Sequence, residues 1–352
     1  NGGSHYISGG NEFDGEPVVP LDEDAVVEAA RSIRDSGITS VGITASFSPL
    51  SSACEDRVAE IVAHECPGVR ITCSHALGRI GLLERENATL LNAALLDLAA
   101  NTTDAFRKAL DDVGISAPLY ITLNDGTVTS AELAQKYPVY CFASGPTNSM
   151  RGAAFLSGLD DAIVCDVGGT TADIGCLVNG FPREANNVVE VGGVRTLFRM
   201  PDLISIGLGG GTVVRENPLS VGPESVGFRL LEEAQVFGGS QLTLTDVAVA
   251  SGLMDVGDKN QISDIPETLI AAALAMAHQK ISVTVDHIKT DSKDVPMIAV
   301  GGGASLIPEK IPGISLVHRV PFHAVANAVG AAIAQISGEA DQVFQDFTRD
   351  DA

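Results

Sequence analysis

The sequence predicts an α/β fold. Apolar runs of strand length alternate with helix-period segments over the first 75 residues, and the second half sets apolar strands beside glycine turns and alanine-rich helices. The chain has 352 residues, 45% hydrophobic and 19% charged, so it can bury a sizeable core. At ~100–200 residues per domain, that length predicts two domains or subdomains.

The elements follow in order. His5–Ser8 reads as extended chain. Leu21-Asp22-Glu23-Asp24 opens a helix: Asp22 is placed to cap it, acids fill the first turn, and Ala25, Val26, Ala29 and Ile33 share a face. Gly37 ends it. A strand over Ile38–Phe47, a helix over Ser51–His64 and a strand over Val69–Ser74 come next. Two helical stretches follow, about Leu82–Ala100 and Thr103–Val113. Pro118–Leu123 reads as a strand ending in the turn Asn124-Asp125-Gly126. Thr129 precedes Glu132 by three, the spacing of a capping box. Ser144-Gly145-Pro146 begins a helix reaching about Leu156.

Beyond that point the character changes. Ile163–Val167 and Asp173–Val178 form a strand–turn–strand unit, and helices are expected at Leu269–His287 and Ala324–Ile336. A boundary near Tyr140–Gly145 divides the chain into residues 1–140 and 141–352. Three glycine clusters, Gly168-Gly169, Gly209-Gly210-Gly211 and Gly301-Gly302-Gly303, have unlike flanks and do not make an internal repeat.

Charge excludes several partners. With 22 Lys+Arg against 45 Asp+Glu, the net charge is −23, spread over both halves. No basic surface is left for nucleic acid or for an anionic membrane. A phosphate-bearing ligand must therefore be held locally, by backbone N–H groups or a metal. The six cysteines, Cys54, Cys66, Cys73, Cys141, Cys165 and Cys176, contain no C-x-x-C pair. They are expected to be buried free thiols in a reducing compartment. No run approaches the ~18–20 apolar residues of a membrane span, and no secretory signal is read at the start. A cytoplasmic location is expected. The opening Asn1-Gly2-Gly3-Ser4 has no initiator Met, and a segment upstream is expected.

The sharpest chemical segment is Asp166-Val167-Gly168-Gly169-Thr170-Thr171-Ala172-Asp173, between two strand-length apolar runs. It is neither a Walker A loop, which needs G-x-x-x-x-G-K-[ST], nor a Rossmann fingerprint. A glycine hairpin tip lets the N–H groups of Gly168, Gly169 and Thr170 close around phosphate oxygens. The hydroxyls of Thr170 and Thr171 add donors, and Asp166 at the strand end is placed to hold Mg²⁺ or its water. A plain β-hairpin with surface acids is the competing reading. Gly301-Gly302-Gly303 after an apolar strand permits close approach to a flat ring or ribose, or is a structural turn. The helix start at Ser144-Gly145 favours an anion or is simply capped. Asp246 in Thr243-Leu244-Thr245-Asp246 reads from spacing as an N-cap. His318 and His323 lack a third metal ligand nearby, and His75 and Glu84 carry no decisive spacing.

Asp166–Asp173 resembles a phosphate-binding hairpin of the actin-like ATPases. More specifically, the chain resembles the hydantoinase A/oxoprolinase family through segments in matching order. These are Gly10–Gly15 with Pro20–Glu23; Phe47-Ser48; Ser74-His75 and Glu84-Arg85; Ser144–Pro146 with Gly152-Ala153; and Asp166–Asp173. Then come Ile204–Gly207 with Gly209–Gly211; Val221–Ser225; Thr243–Asp246; Gly301–Gly303; and Val325–Ala332. Three features depart from the family pattern. Its first D-x-G-G-T hairpin is not in this chain, Thr147-Asn148-Ser149 stands where A-G-G is usual, and Phe228–Glu233 stands where P-G-P-A-C-Y is usual.

The resemblance implies an actin-like, ribonuclease H-like two-lobe fold with the first lobe incomplete. It implies ATP and Mg as cofactors and an ATP-dependent hydrolase that opens a cyclic amide of hydantoin or 5-oxoproline type. Phosphorylation of the amide oxygen would turn a poor electrophile into one that water attacks. Phosphoryl transfer needs mainly positioning and charge neutralisation. Asp166, Asp173 and Asp246 take the catalytic positions, with Asp166 on the metal and Asp246 on the substrate side. Gly168, Gly169, Thr170, Thr171, Ser144 and Gly145 surround the phosphates, and Gly301, Gly302 and Gly303 the adenosine. A hydantoinase B-type subunit or domain is the implied partner, together with homo-oligomeric assembly. The alternatives are a subunit of an ATP-dependent ketone carboxylase and a non-catalytic actin-like protein. With one phosphate hairpin missing, the chain alone is expected to hydrolyse ATP weakly or not at all.

Overall fold

A computed structural model describes residues 3–78, 80–185 and 189–338. Helix α1 (Glu23–Asp35) starts where predicted, with the Asp22 carboxylate accepting the Ala25 N–H at 3.0 Å. Strand β1 (Ser40–Ile43), helix α2 (Ala53–Glu65) and strand β2 (Arg70–Cys73) follow, β1 and β2 pairing in parallel. The apolar stripes of α1 and α2 bury Val26, Ala30, Ile61, Val62 and Cys66 together.

Helix α3 (Leu82–Asp112) is one 31-residue helix rather than the two expected. Thr103, a candidate second start, sits inside it and donates its hydroxyl back to Ala99 O at 2.8 Å, so nothing interrupts the helix. Strands β3 (Tyr120–Thr122) and β4 (Val128–Ser130) form a hairpin about the predicted Asn124–Gly126 turn. Helix α4 (Ala131–Lys136) is capped by Ser130, which accepts the Leu133 N–H at 3.3 Å, so the expected Thr129 box is shifted by one residue. Helix α5 (Ser144–Ser157) closes on the left-handed Gly158.

The second half supplies β5 (Ala162–Val167), β6 (Ala172–Val178), β7 (Phe181–Pro182), β8 (Val189–Val191), β9 (Val194–Thr196) and β10 (Leu203–Ile206). Then come β11 (Thr212–Glu216), β12 (Leu219–Ser225), α6 (Leu230–Glu233), α7 (Leu244–Ala250) and α8 (Glu267–Ile288). Strands β13 (Val295–Val300) and β14 (Ile314–Arg319) and helix α9 (Ala326–Ile333) complete it. One six-stranded sheet organises this half in the order β10-β6-β5-β13-β14, with β7 on β6. β10, β6 and β5 run antiparallel, and β5, β13 and β14 run parallel.

Both faces of that sheet are covered, which is why its central strands read as unbroken apolar runs. Ile163, Cys165, Ile174, Met297 and Ala299 pack under α7 and α8, while Val164, Leu177, Ile298 and Val300 pack under α5 and α9. Helix α8, at 22 residues with a mean hydropathy of 1.3 in its most apolar window, is long and apolar enough to cross a membrane, contrary to the sequence reading. Its Ala273, Ala277, Ile281 and Val285 are fully buried against the sheet, while 28% of that window as a whole is buried.

Contacts cross the expected 140/141 boundary. The Val128 N–H donates to Gln335 O at 2.9 Å, and Thr127 Oγ1 meets Ser337 Oγ at 2.6 Å. All six cysteines are free; Cys66, Cys165 and Cys176 are buried, while Cys54, Cys73 and Cys141 are only half-buried.

Candidate functional site

The predicted hairpin forms. β5 and β6 put Asp166 directly opposite Asp173. Alternation sends Cys165 and Ile174 into the α8 side and leaves both acids on the α5 side. Ser149 of α5 acts on Asp166, and Ser205 of β10 and Thr171 on Asp173, each favouring the charged carboxylate. Burial pushes both carboxyls above the ordinary carboxylate value, and the Asp173 charge adds to the rise at Asp166. Two half-buried acids facing each other are disfavoured as anions unless a cation joins them. That is the donor set a divalent metal with oxygen ligands requires.

The tip is braced from behind by two other glycine clusters. Gly303 N–H donates to Val167 O at 2.8 Å, Gly210 N–H to Gly168 O at 3.0 Å and Gly211 N–H to Gly169 O at 2.7 Å. A Cβ on Gly209 would lie 2.6 Å from both Gly169 C and Thr170 N, so only glycine fits there. Gly301 has φ +89°, and a Cβ there would overlap the Asp166 carboxylate and Val167 O. With its carbonyls bonded backward, the tip presents N–H groups forward. Gly169 and Thr170 are exposed, and their N–H groups have no protein partner among the described residues. Gly168 departs from the expectation: its N–H closes the turn on Thr171 O at 2.9 Å. Thr171 is half-buried and favours the charged Asp173, while Thr170 is exposed at the tip.

The Gly301–Gly303 loop runs into a single 3₁₀ turn, Ala304–Leu306. Arg319 donates to Ala304 O at 2.7 Å and to Ile307 O at 2.5 Å, and His323 N δ1 lies 3.1 Å from Gly301 O. Ser305 Oγ is buried without a hydrogen-bond partner among the described residues, a polar atom that a ligand at this loop would satisfy. His318 lies on β14 and His323 on the loop beyond it.

Other expected residues are placed differently. Ser144 and Gly145 start α5, but Ser144 N–H bonds Cys141 O, and Gly145 O accepts from Asn327 Nδ2 at 2.8 Å. It is Ser149, in the second turn, that reaches the hairpin. Asp246 is not the N-cap that spacing suggested, and both of its oxygens are taken up by protein donors. Thr243 caps α7, and Asp246 is the third helical residue of a capping box. One of its oxygens takes the Thr243 N–H and hydroxyl at 2.6 and 2.8 Å, the other the Val236 N–H at 2.7 Å. Its neighbour Thr245 binds Gly210 O at 2.9 Å, so this box supports the brace rather than the tip.

A second polar cluster lies on the β1–β2 side, where the sequence reading assigned none. Glu55 is fully buried. Its Oε1 accepts from Ala45 N–H and Ser74 Oγ, and its Oε2 from the His75 N–H and Nδ1 at 2.9 and 2.8 Å. Buried Arg85 donates to Ser74 Oγ at 2.8 Å. Burial pushes Glu55 up, but the bonds from His75, Ser74 and Ser48 outweigh it and leave it below the usual carboxylate value. The bond to Glu55 raises His75. Cys73 brings a third ligand-type atom within 4.8 Å of these two. Burial and then Glu55 hold that thiol up at about 12, and each Glu55 oxygen already has two donors, so the cluster is built as an ion pair. A buried acid three residues inside a helix, two before its first basic residue, leaves no periodic signal in sequence.

A profile described as Hydantoinase/oxoprolinase matches residues 85–258, and one described as Hydantoinase/oxoprolinase N-terminal region matches residues 3–66. The chain is 28% identical over 254 residues to the acetophenone carboxylase gamma subunit of Aromatoleum aromaticum, covering 68% of this chain and 34% of that one. It is 23% identical over 336 residues to caprolactamase subunit alpha of Pseudomonas jessenii, covering 86% and 47%. It is also 23% identical over 312 residues to the acetone carboxylase beta subunit of Xanthobacter autotrophicus, covering 84% and 41%. The chain thus spans a third to a half of the length of these relatives. Two solved structures share the fold. Nucleotide-free acetone carboxylase gives a TM-score of 0.72 at 21% identity, covering 93% of this chain and 51% of that one. ATP-dependent caprolactamase from Pseudomonas jessenii gives 0.73 at 20%, covering 94% and 53%. The architecture is the α/β fold that this chain shares with those two structures. On the two profiles, which together account for more than half of its length, the chain belongs to the hydantoinase/oxoprolinase family.

Proposed function

We propose that this chain is the nucleotide-binding part of an ATP-dependent enzyme that opens a cyclic amide of hydantoin, 5-oxoproline or related lactam type. The observation that carries the reading is the braced tip: free N–H groups at Gly169 and Thr170 beside two facing acids. Those N–H groups hold phosphate oxygens, with the Thr170 hydroxyl as a further donor. Gly301–Gly303 and Ser305 take the adenosine side. Asp166 and Asp173 fit a magnesium ion, which when bound would neutralise phosphate charge. In a chain of net charge −23, backbone N–H groups and the cation supply the positive potential at the tip.

The amide reading draws on the similarity to a caprolactamase subunit. A second reading, a subunit of an ATP-dependent ketone carboxylase, is favoured by the higher identity to the acetophenone carboxylase gamma subunit. Both need a carbonyl compound made reactive at the expense of ATP. A B-type partner subunit, homo-oligomeric assembly and a cytoplasmic location belong to the proposal.

Substrate-dependent release of ADP tests it, using the protein with its partner subunit. A panel of hydantoins, 5-oxoproline and lactams is run beside ketones with bicarbonate. Stimulation by a cyclic amide alone supports the first reading, and bicarbonate-dependent turnover of a ketone replaces it with the second. Calorimetry that shows no Mg-ATP binding would leave a non-catalytic actin-like protein.

A further inference from the structure

Phe322 combines a strained backbone with an uncovered side chain. Its φ of 62° and ψ of 16° lie in the left-handed region, which a bulky L-residue enters only at a cost. The residue is 72% exposed, so burial does not offset that cost. Two other described non-glycine residues have positive φ. Asn179 is of a type that tolerates it, and Phe47 is half-buried. Phe322 alone combines the strain with an exposed ring.

The turn imposes the strain. The His323 N–H closes on Val320 O at 3.3 Å, which makes Phe322 the third residue of a four-residue turn, directly after Pro321. Proline at the second position with positive φ at the third is the arrangement in which glycine is favoured third. An aromatic ring stands there instead.

The same turn is fastened to the Gly301–Gly303 loop. His323 O accepts the Gly301 N–H at 2.9 Å, and His323 Nδ1 lies 3.1 Å from Gly301 O. Gly301 in turn abuts Asp166, whose carboxylate a Cβ on Gly301 would overlap. Gly302 is exposed, and a Cβ added to it would meet nothing within 4 Å, so the loop opens onto free space. Phe322 is thus the aromatic residue next to the pair of contacts that hold this loop.

We propose that Phe322 is a base-stacking residue of the nucleotide site, its ring forming one face of the slot in which the flat nucleobase lies against Gly301–Gly303. The inference rests on the nucleotide reading above and adds to it the residue that holds the base. Stacking on an aromatic ring offsets the cost of the turn, and does so only with ligand bound. Every base has a π-face, so this contact favours a nucleotide over a bare polyphosphate rather than one base over another.

The chain contains no tryptophan, so Phe322→Trp introduces a single fluorescent reporter. Mg-ATP is expected to quench it. Magnesium tripolyphosphate, which has the phosphates and no base, is expected to leave it unchanged. Calorimetry on Phe322→Gly is the second arm. Glycine suits the turn, so the variant should melt no lower than wild type and bind tripolyphosphate equally well. Its Mg-ATP affinity is expected to fall about tenfold. Unchanged Mg-ATP affinity, or an equal loss for ATP and tripolyphosphate, overturns the proposal. A lower melting point also overturns it, because the ring would then be stabilised within the fold. If ATP binds wild type and Phe322→Gly alike, this inference fails alone. If the wild-type chain binds neither ATP nor tripolyphosphate, the nucleotide reading fails and this inference fails with it.

Discussion

Gly330 of α9 lies so close to Asn148 of α5 that a Cβ on Gly330 would overlap the Asn148 carbonyl oxygen. The contact is reciprocal, because a Cβ on Gly152 of α5 would overlap Ala326 O of α9. The two helices pack backbone to backbone, and α5 delivers Ser149 to Asp166. Gly330→Ala is expected to cost at least the ~1–3 kcal/mol of an overpacked core. Urea unfolding monitored by circular dichroism should show a lower midpoint; an unchanged midpoint contradicts the packing.

Gly209 touches the hairpin tip from behind. Gly209→Ala adds one methyl at 2.6 Å from the Gly169–Thr170 peptide and must displace it. Mg-ATP affinity is expected to fall about tenfold, equivalent to about 1.4 kcal/mol. Calorimetry decides this, and equal affinity would remove Gly169 and Thr170 from the phosphate site.

Asp166 costs the apo protein stability. Its folded pKa, raised by burial, lies above its unfolded value near ~3.9. Below the unfolded value both states are protonated and the penalty vanishes. As pH rises through the folded pKa the penalty builds, and above it the penalty is complete. Asp166→Asn should therefore melt higher than wild type at pH 7 and match it near the acid limit, while losing the Mg²⁺ dependence of ATP binding. A lower melting point at pH 7 would contradict this.

The Glu55–His75 pair has the opposite character. Glu55 sits below its unfolded value near ~4.3, so its stabilisation is present above that value and lost as pH falls through the folded pKa. His75 sits above its unfolded value near ~6.5, so its share is full below that and lost as pH rises through the folded pKa. Glu55→Gln breaks a pair whose acid is fully buried and should cost about 3 kcal/mol. The gap to wild type should be widest between those two unfolded values and narrow on both sides. A gap independent of pH would show that the pair is not ionic.

The sequence was most readable where local chemistry decides the structure. Asp22, Gly37 and the Asn124–Gly126 turn act within a few residues of themselves, and each stands where spacing put it. The hairpin strands were legible because burial on both faces leaves unbroken apolar runs. Thr103 misled, since a threonine suits a helix start and also satisfies itself one turn back inside a helix. The site was only partly legible because its parts meet through tertiary contacts. Gly210, Ser149 and Ser205 reach the hairpin from separate elements, and no spacing rule links them to residues 166–173. Spacing made Asp246 the N-cap because a cap and the third helical residue of a capping box are both acids near a helix start, and only the hydrogen bonds tell them apart.

The braced tip also sets an order of events during synthesis. The hairpin emerges from the ribosome well before the Gly209–Gly211 segment and far before Gly303. Until Gly303 arrives, Val167 O lacks its donor, and Asp166 lacks the glycine loop that walls it in. A phosphate site at this tip, as proposed, is therefore complete only once Gly303 has been made and has folded onto Val167.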